Sequence, residues 1–265
     1  MEITTDKRPQ ALRRTAAGIA FAAVLGAATF TAAGAEAATA EPAAPAVPAY
    51  DFGDCPAIPA GVDAARWKCE VLTATGSLTL GSRTLPELAP MTITHAEGPL
   101  PDGTNGQVWG ALRSAPTAVP GGILGGPAGD RNPRLALSLQ PEYGGRSDFY
   151  SVGENMGLFT LRFRAVSPAL PDGCVIGGGE TPVEIRLKRA GKSEWISKNP
   201  PVIKFAAYDN AFTAPPATGC GPLGGLVNDR LGLPAATGNS IALSAHYTFK
   251  TYDQLPPRAR AVAGG

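Results

Sequence analysis

The sequence contains few of the residues from which catalytic and metal sites are built. Its 265 residues include two histidines, four cysteines and three methionines, and aromatic side chains make up only 7% of the chain. The zinc signatures HExxH and paired CxxC do not occur, nor does the serine-hydrolase signature GxSxG. The GGGE stretch at 177–180 has neither the spacing nor the lysine of a phosphate-binding loop. We therefore predict no catalytic residue, metal site or cofactor, and we favour a non-catalytic protein over an enzyme.

The first 37 residues have the three parts of a secretory signal peptide. A basic start containing Lys7, Arg8, Arg13 and Arg14 precedes an uncharged run at 16–35, and Ala-Glu-Ala at 35–37 fits a cleavage site. The alternative is an uncleaved anchor, because twenty uncharged residues are long enough to span a bilayer. The run is mostly Ala, Gly and Thr, which insert weakly, so we favour cleavage. The expected protein is secreted or extracellular, and cell-wall association stays open.

The mature chain lacks an excess of charge of either sign. Cleavage after Ala37 removes four of the 23 basic and three of the 22 acidic side chains, so equal numbers remain. A neutral chain exerts no long-range attraction on nucleic acid or on an anionic membrane. We therefore predict no nucleic-acid partner and no membrane contact after cleavage. The sequence makes no prediction of the oligomeric state.

Glycine and proline are abundant instead, with 33 and 26 residues, and they divide the chain into segments. Residues 38–50 form an Ala/Pro linker that cannot bury a core. A Gly-rich stretch at 144–148 suggests a boundary near residue 145. We predict a first β-sandwich half at 51–145, a second half at 146–255 and a disordered tail at 256–265.

Alternation with a period of two recurs along the folded part and predicts an all-β protein. In FTLRFRAV, at 159–166, Phe159, Leu161 and Phe163 share one face, whereas Thr160 and Arg162 share the other. TPVEIRLKRA, at 181–190, and SIALSAHYTFKTY, at 240–252, alternate in the same way. Half-buried strands separated by turns favour an antiparallel β-sandwich, here with two immunoglobulin-like halves.

One short helix is predicted near 222–231. Pro222 stands at its first position, and Gly232 with Pro234 ends it. Leu223, Leu226, Val227 and Leu231 fall on one face of this helix, and Asn228, Asp229 and Arg230 fall on the wet side.

Four cysteines in an exported chain favour two disulfides over free thiols. Cys55, Cys69, Cys174 and Cys220 allow three pairings. We prefer the pairing of Cys55 with Cys69 and of Cys174 with Cys220, because it keeps each bridge inside one proposed half. A nucleophilic Cys220 would need a histidine as base. His95 is expected at a strand end before a glycine turn and His246 on a solvent face, and neither lies in a motif.

A concentration of basic residues is the feature that most favours a function. If the strands at 159–166 and 183–189 pair, four basic side chains share one sheet face: Arg162, Arg164, Arg186 and Lys188. Such a face could hold an anionic cell-wall polymer through multiple salt-sensitive contacts. The alternative is an ordinary solvated face whose charges protect the sheet from aggregation.

The second half of the chain resembles a known family in one motif. The stretch YDNAFTAPPATGCGPLGGLVNDRLGLPAATGNSIAL, at 208–243, carries DNxF and a following proline, GCG, LVN, LGLP and GN. This motif is similar to the endings of an uncharacterised family of actinobacterial secreted proteins. WKCEVLTATGSLTLG, at 67–81, resembles that family's first strands. The resemblance implies export, an all-β fold and a disulfide at the GCG, and it implies no activity.

Three functions follow from these observations. The first is an exported, non-catalytic protein that binds or structures the cell envelope. The second is an extracellular hydrolase that acts on polysaccharide through carboxylates, with Glu154, Glu180, Glu184 and Asp209 as the available acids. The third is a carrier of a small apolar ligand. An enzyme or a carrier should contain one deep pocket, and a surface-binding protein should not.

Overall fold

Antiparallel strands dominate the structure, a computed structural model that describes residues 49–127, 132–150 and 152–256. The all-β prediction is confirmed. The predicted signal peptide lies outside the described residues, as do most of the predicted linker and the tail beyond Pro256. Within the described ranges, no helix has the length and apolar character needed to cross a membrane.

Twelve strands lie within the described residues. They are β1 (Lys68–Leu80), β2 (Arg83–Pro99), β3 (Asn105–Ser114), β4 (Thr117–Ala118), β5 (Ser138–Asp148), β6 (Asn155–Val166), β7 (Val175–Ile176), β8 (Val183–Arg189), β9 (Glu194–Lys198), β10 (Pro201–Asp209), β11 (Ala217–Thr218) and β12 (Ser240–Thr251). Short 3₁₀ helices occupy Pro133–Leu135, Gly221–Leu223 and Tyr252–Gln254, and one α-helix, α1, spans Gly224–Leu231.

All twelve strands belong to one sheet that curls into a half-barrel. The main order is β11, β7, β6, β8, β10, β12, β1, β2, β3, while β5 pairs with β6 and β4, and β9 pairs with β10. Strand β1 therefore lies between β2 and β12, so the first and last strands of the chain are neighbours. The two predicted halves are not confirmed, because they share this sheet. The expected boundary at residue 145 falls inside β5.

Strand β3, at one edge of the curled sheet, approaches β5 at the other edge but does not pair with it. Side chains connect them: the Ser114 hydroxyl donates to the Pro141 carbonyl at 2.8 Å, and the Gln140 amide donates to the Ser114 carbonyl at 2.7 Å. Pro141 has no N–H with which to extend a backbone ladder toward β3. We call this contact between β3 and β5 the seam.

The main hydrophobic core lies on one face of the sheet, and the alternation of β6 shows how it forms. Phe159, Leu161, Phe163 and Ala165 are buried as predicted. Thr160, predicted to face water with the arginines, is buried as well. The chain at Gly144 crosses it, and the Thr160 hydroxyl accepts a hydrogen bond from the Arg146 N–H at 2.9 Å.

A second, smaller core covers the opposite face of β1 and β2. It consists of Ile58, Trp67, Cys69, Ala96, Tyr252 and Leu255. The Trp67 indole donates to the Pro99 carbonyl at 2.9 Å, and its ring lies directly against Gly98. The segment before β1 is therefore fixed to the sheet by packing.

Both disulfides have the preferred pairing, Cys55 with Cys69 and Cys174 with Cys220. The second bond lies in the main core and joins the turn before β7 to the 3₁₀ helix that precedes α1. Cys220 is therefore a structural cysteine.

Helix α1 confirms the predicted helix, and Gly232 ends it with φ of 69°. Val227 and Leu231 are buried, but Leu226 is 37% exposed. The predicted wet side is correct for Asp229 and wrong for Asn228 and Arg230. Their hydrogen bonds explain the difference. The Asn228 side chain accepts from the Ala217 N–H and donates to the Ala217 carbonyl. Buried Arg230 donates to the carbonyls of Gly122 and Pro120.

Candidate functional site

The predicted basic residues do share one face of the sheet. Strands β6 and β8 pair with Leu158 opposite Arg186 and Thr160 opposite Glu184, so the even-numbered residues of both strands point to the same side. This side carries Arg162, Arg164, Arg186 and Lys188, joined by Arg146 from β5, whose guanidinium lies 3.8 Å from Glu184. We call these five residues the basic face.

Two carboxylates organise the basic face. Glu142 of β5 lies opposite Arg162 and accepts from Arg162 Nε at 2.8 Å and from Arg164 Nε at 3.0 Å. Arg164 also donates to the Gln140 side chain. Glu184 pairs with Arg186 on the same strand. The arginines are thus held in fixed positions, which lowers the entropy cost of binding an anion.

Three of the arginines lie further out than the carboxylates that hold them. Arg162, Arg146 and Arg186 have side chains 50%, 68% and 72% exposed, whereas Glu142 and Glu184 are 26% and 37% exposed. Arg164 is 32% exposed and lies at the depth of the carboxylates. Exposed Asp148, opposite Leu158, adds a third carboxylate to this side, so five cationic groups face three anionic ones. The basic face therefore keeps an excess of positive charge, most of it in its outer part.

The four acids proposed for a hydrolase do not form such an arrangement. Asp209 is buried and accepts from the backbone N–H groups of Arg186 at 2.7 Å and Ala211 at 2.8 Å, so it holds the chain. Glu184 belongs to the basic face, and Glu154 and Glu180 are exposed. These residues give the hydrolase hypothesis no support.

A different polar cluster, which the sequence did not indicate, lies on the core face of β1 and β2. Glu70 stands opposite His95 in the β1–β2 ladder, and His95 Nε2 lies 3.7 Å from Glu70 Oε2. His95 is 6% exposed and its Nδ1 atom has no hydrogen-bond partner among the described residues. Contrary to expectation, His95 lies inside β2, because the strand continues through Gly98 to Pro99.

Burial keeps this cluster uncharged near neutral pH. Burial, followed by the charge of Glu97, raises the pKa of Glu70 to about 8, and Lys68 opposes this shift weakly. Burial alone lowers the pKa of His95 to about 4. The short distance between the two side chains would suit an ion pair, but both pKa shifts favour the neutral forms. We therefore describe Glu70 and His95 as a neutral pair.

Aromatic rings lie beside His95 on the seam side of the neutral pair. The Phe149 ring lies 4.8 Å from His95 between centroids, and Trp109 stacks on Tyr143 at 3.8 Å. Gln107 of β3 accepts from the Phe149 N–H at 2.9 Å and donates to the Phe149 carbonyl. The other histidine, His246, is partly buried on the opposite face of β12.

Two hollows among the described residues lie away from both clusters. One, of about 460 Å³, lies beside the loop from Ala118 to Gly126, and the other, of about 540 Å³, lies between Tyr50 and Pro256. Both are half open to solvent. In the described ranges, no three His, Cys, Asp or Glu side chains lie close enough to hold a metal ion.

Comparison with known proteins gives no match. No family model matches this chain, no curated protein is similar to it, and no solved structure matches its fold. The resemblance to actinobacterial secreted proteins therefore remains a prediction from its motif.

Proposed function

We propose that the protein is an exported, non-catalytic binding protein that holds an anionic polymer of the cell envelope on its basic face. One observation carries this proposal: five cationic side chains on three adjacent strands outnumber the carboxylates of the same sheet face, and three of the arginines lie further out than Glu142 and Glu184. Rows of charge at strand spacing suit a ligand with repeated anionic groups, because each group can meet a different arginine.

The exposed arginines of the basic face suit a surface-binding mode. An extended polymer can lie across a sheet face, whereas a small substrate needs enclosure. Arginine suits this task because its planar guanidinium keeps two terminal nitrogens for a phosphate or carboxylate. Arg162 uses Nε for Glu142, which directs its terminal nitrogens outward.

The test is retention of the purified protein on isolated cell walls at increasing salt. We expect retention at low ionic strength that falls steeply as salt is added, because exposed charge contacts are screened. The double variant R162Q/R186Q should lose most of the retention. Replacement of both residues leaves the core-facing side chains of β6 and β8 unchanged.

The matched control is R66Q/R134Q. It removes the same amount of charge from exposed residues that lie outside β6 and β8. If retention depends on the basic face, this control should behave like the wild type. Equal losses in the two double variants would show that net charge alone is responsible, and no retention at low salt would refute the proposal.

A further inference from the structure

Phe149 covers His95, one member of the neutral pair, at the point where β5 leaves the sheet. It follows Asp148, the last residue of β5, and the next residue, Tyr150, is 47% exposed. The Phe149 ring packs on the His95 ring and on Phe159 of the core, at 4.8 and 5.9 Å between centroids. The Phe149 ring therefore lies over His95 between the seam and the core.

The attachment of Phe149 is local. Both backbone groups of Phe149 bond to one side chain, that of Gln107 on β3. By contrast, Glu70 and His95 form the third pair from one end of the β1–β2 ladder, and each also lies in a second ladder, β1 with β12 and β2 with β3. If Glu70 or His95 becomes charged, it must gain contact with water. Displacing Phe149 breaks only its two hydrogen bonds to Gln107, whereas separating the strands breaks many backbone hydrogen bonds.

We propose that Phe149 is a proton-controlled lid, which covers His95 while His95 and the adjoining Glu70 are uncharged and moves away when either becomes charged. A buried charge without a partner is costly, and contact with water removes that cost. The His95 Nδ1 atom already lacks a partner among the described residues, so in the imidazolium it would be a buried, unsatisfied donor.

Charged and titratable groups around the pair do not offset the cost of ionising Glu70. Lys68 on β1 favours the carboxylate, but burial, the charge of Glu97 on β2 and a side-chain hydrogen bond between Glu97 and Glu70 together outweigh it. Tyr247 on β12 is affected by Glu70 and Glu97, and Arg189 on β8 acts on Tyr247. The Lys68 ammonium lies over the Phe249 ring, 4.8 Å from its centroid. From β3 and the end of β5 come Gln107, Trp109 and Phe149, which carry no charge.

The lid should therefore open at two pH limits, one alkaline and one acid. The raised pKa of Glu70 places the alkaline limit near pH 8, where the carboxylate forms beside Glu97. The lowered pKa of His95 places the acid limit near pH 4. Between these limits both groups are neutral and the lid is closed.

Nuclear magnetic resonance can test this directly, because the sequence has only two histidines. The H246Q variant leaves His95 as the single imidazole signal. We expect a nuclear Overhauser effect between the His95 and Phe149 rings at pH 6, and its loss at pH 9 and at pH 3.5. The indole N–H of Trp67, which is fully buried in the second core, reports whether the protein is still folded.

The E70Q variant, made in the H246Q background, separates the two limits. Its uncharged amide should preserve the Overhauser effect at pH 9, while the loss at pH 3.5 remains. Persistence of the effect at pH 9 in the parent protein, or its loss in E70Q, would overturn the lid. Simultaneous loss of the Trp67 signal would also overturn it, because the opening would then be global unfolding.

Discussion

Replacing Glu70 with glutamine should change how folding stability depends on pH. Glutamine has the shape of the protonated carboxyl group and cannot ionise. The folded-state pKa of about 8 lies above the ordinary value of 4.5, so the unfolded chain releases this proton first as pH rises. The contribution of Glu70 is therefore fully present below pH 4.5 and is lost progressively up to about pH 8.

The magnitude follows from the size of the shift. One pKa unit corresponds to about 1.4 kcal/mol, so the loss reaches up to about 5 kcal/mol above pH 8. His95 acts in the opposite direction, because its pKa falls from 6.5 to about 4. Its contribution is present above pH 6.5 and is lost as pH falls toward 4. The two slopes nearly cancel between pH 4.5 and 6.5, and the slope of Glu70 remains alone above that range.

Urea denaturation of the wild type and E70Q from pH 5 to pH 8.5 measures this difference. We expect the stability advantage of E70Q to grow by about 4 kcal/mol across this interval. The matched control is E154Q, which removes one exposed carboxylate outside the cluster. Parallel curves for the wild type and E70Q would refute the reasoning, and an equal divergence in E154Q would show that net charge causes it.

Two further changes test the packing. Replacing Cys174 and Cys220 with serine opens a loop with a sequence separation of 46 and should lower the free energy of unfolding by about 4 kcal/mol. Urea denaturation without reductant measures this loss, and an unchanged midpoint would contradict the prediction. G98A should destabilise the protein by about 1–3 kcal/mol, because its Cβ would lie 2.6 Å from the buried Trp67 ring. G225A, in α1 with open space at its Cβ, should stabilise the protein by about 1 kcal/mol. A loss of stability in both G98A and G225A would refute the steric explanation.

Local patterns predicted the strands and the basic face because both depend on alternation within short segments. In β6 and β8 every second residue is apolar, and the two strands pair, so their polar residues meet on one side. The two-half arrangement is not confirmed, and the reason is different. The pairing of β1 with β12 joins residues such as Lys68 and Thr251, and no local pattern indicates which distant strands become neighbours.

The neutral pair escaped prediction because its position depends on register. Glu70 stands opposite His95 only because the β1–β2 ladder shifts twice, between Ala74 and Gly76 and again before Leu78. A shift of one residue moves every side chain to the other face, and the sequence does not locate such irregularities. Glu70 did leave one signal, since it alternates with Leu72 and Ala74 on an otherwise apolar face.

The basic face and the lid belong to one segment of chain. The pairing of β5 with β6 breaks between Tyr143 and Ser147, and Arg146 lies in this irregular stretch, three residues before Phe149. Thr160 fixes the stretch by bonding both the N–H and the carbonyl of Arg146. A polymer that binds the Arg146 guanidinium would therefore also restrain the backbone leading to Phe149. If both proposals are correct, bound polymer should favour the closed lid and move its alkaline limit to higher pH, because linkage between two sites is reciprocal.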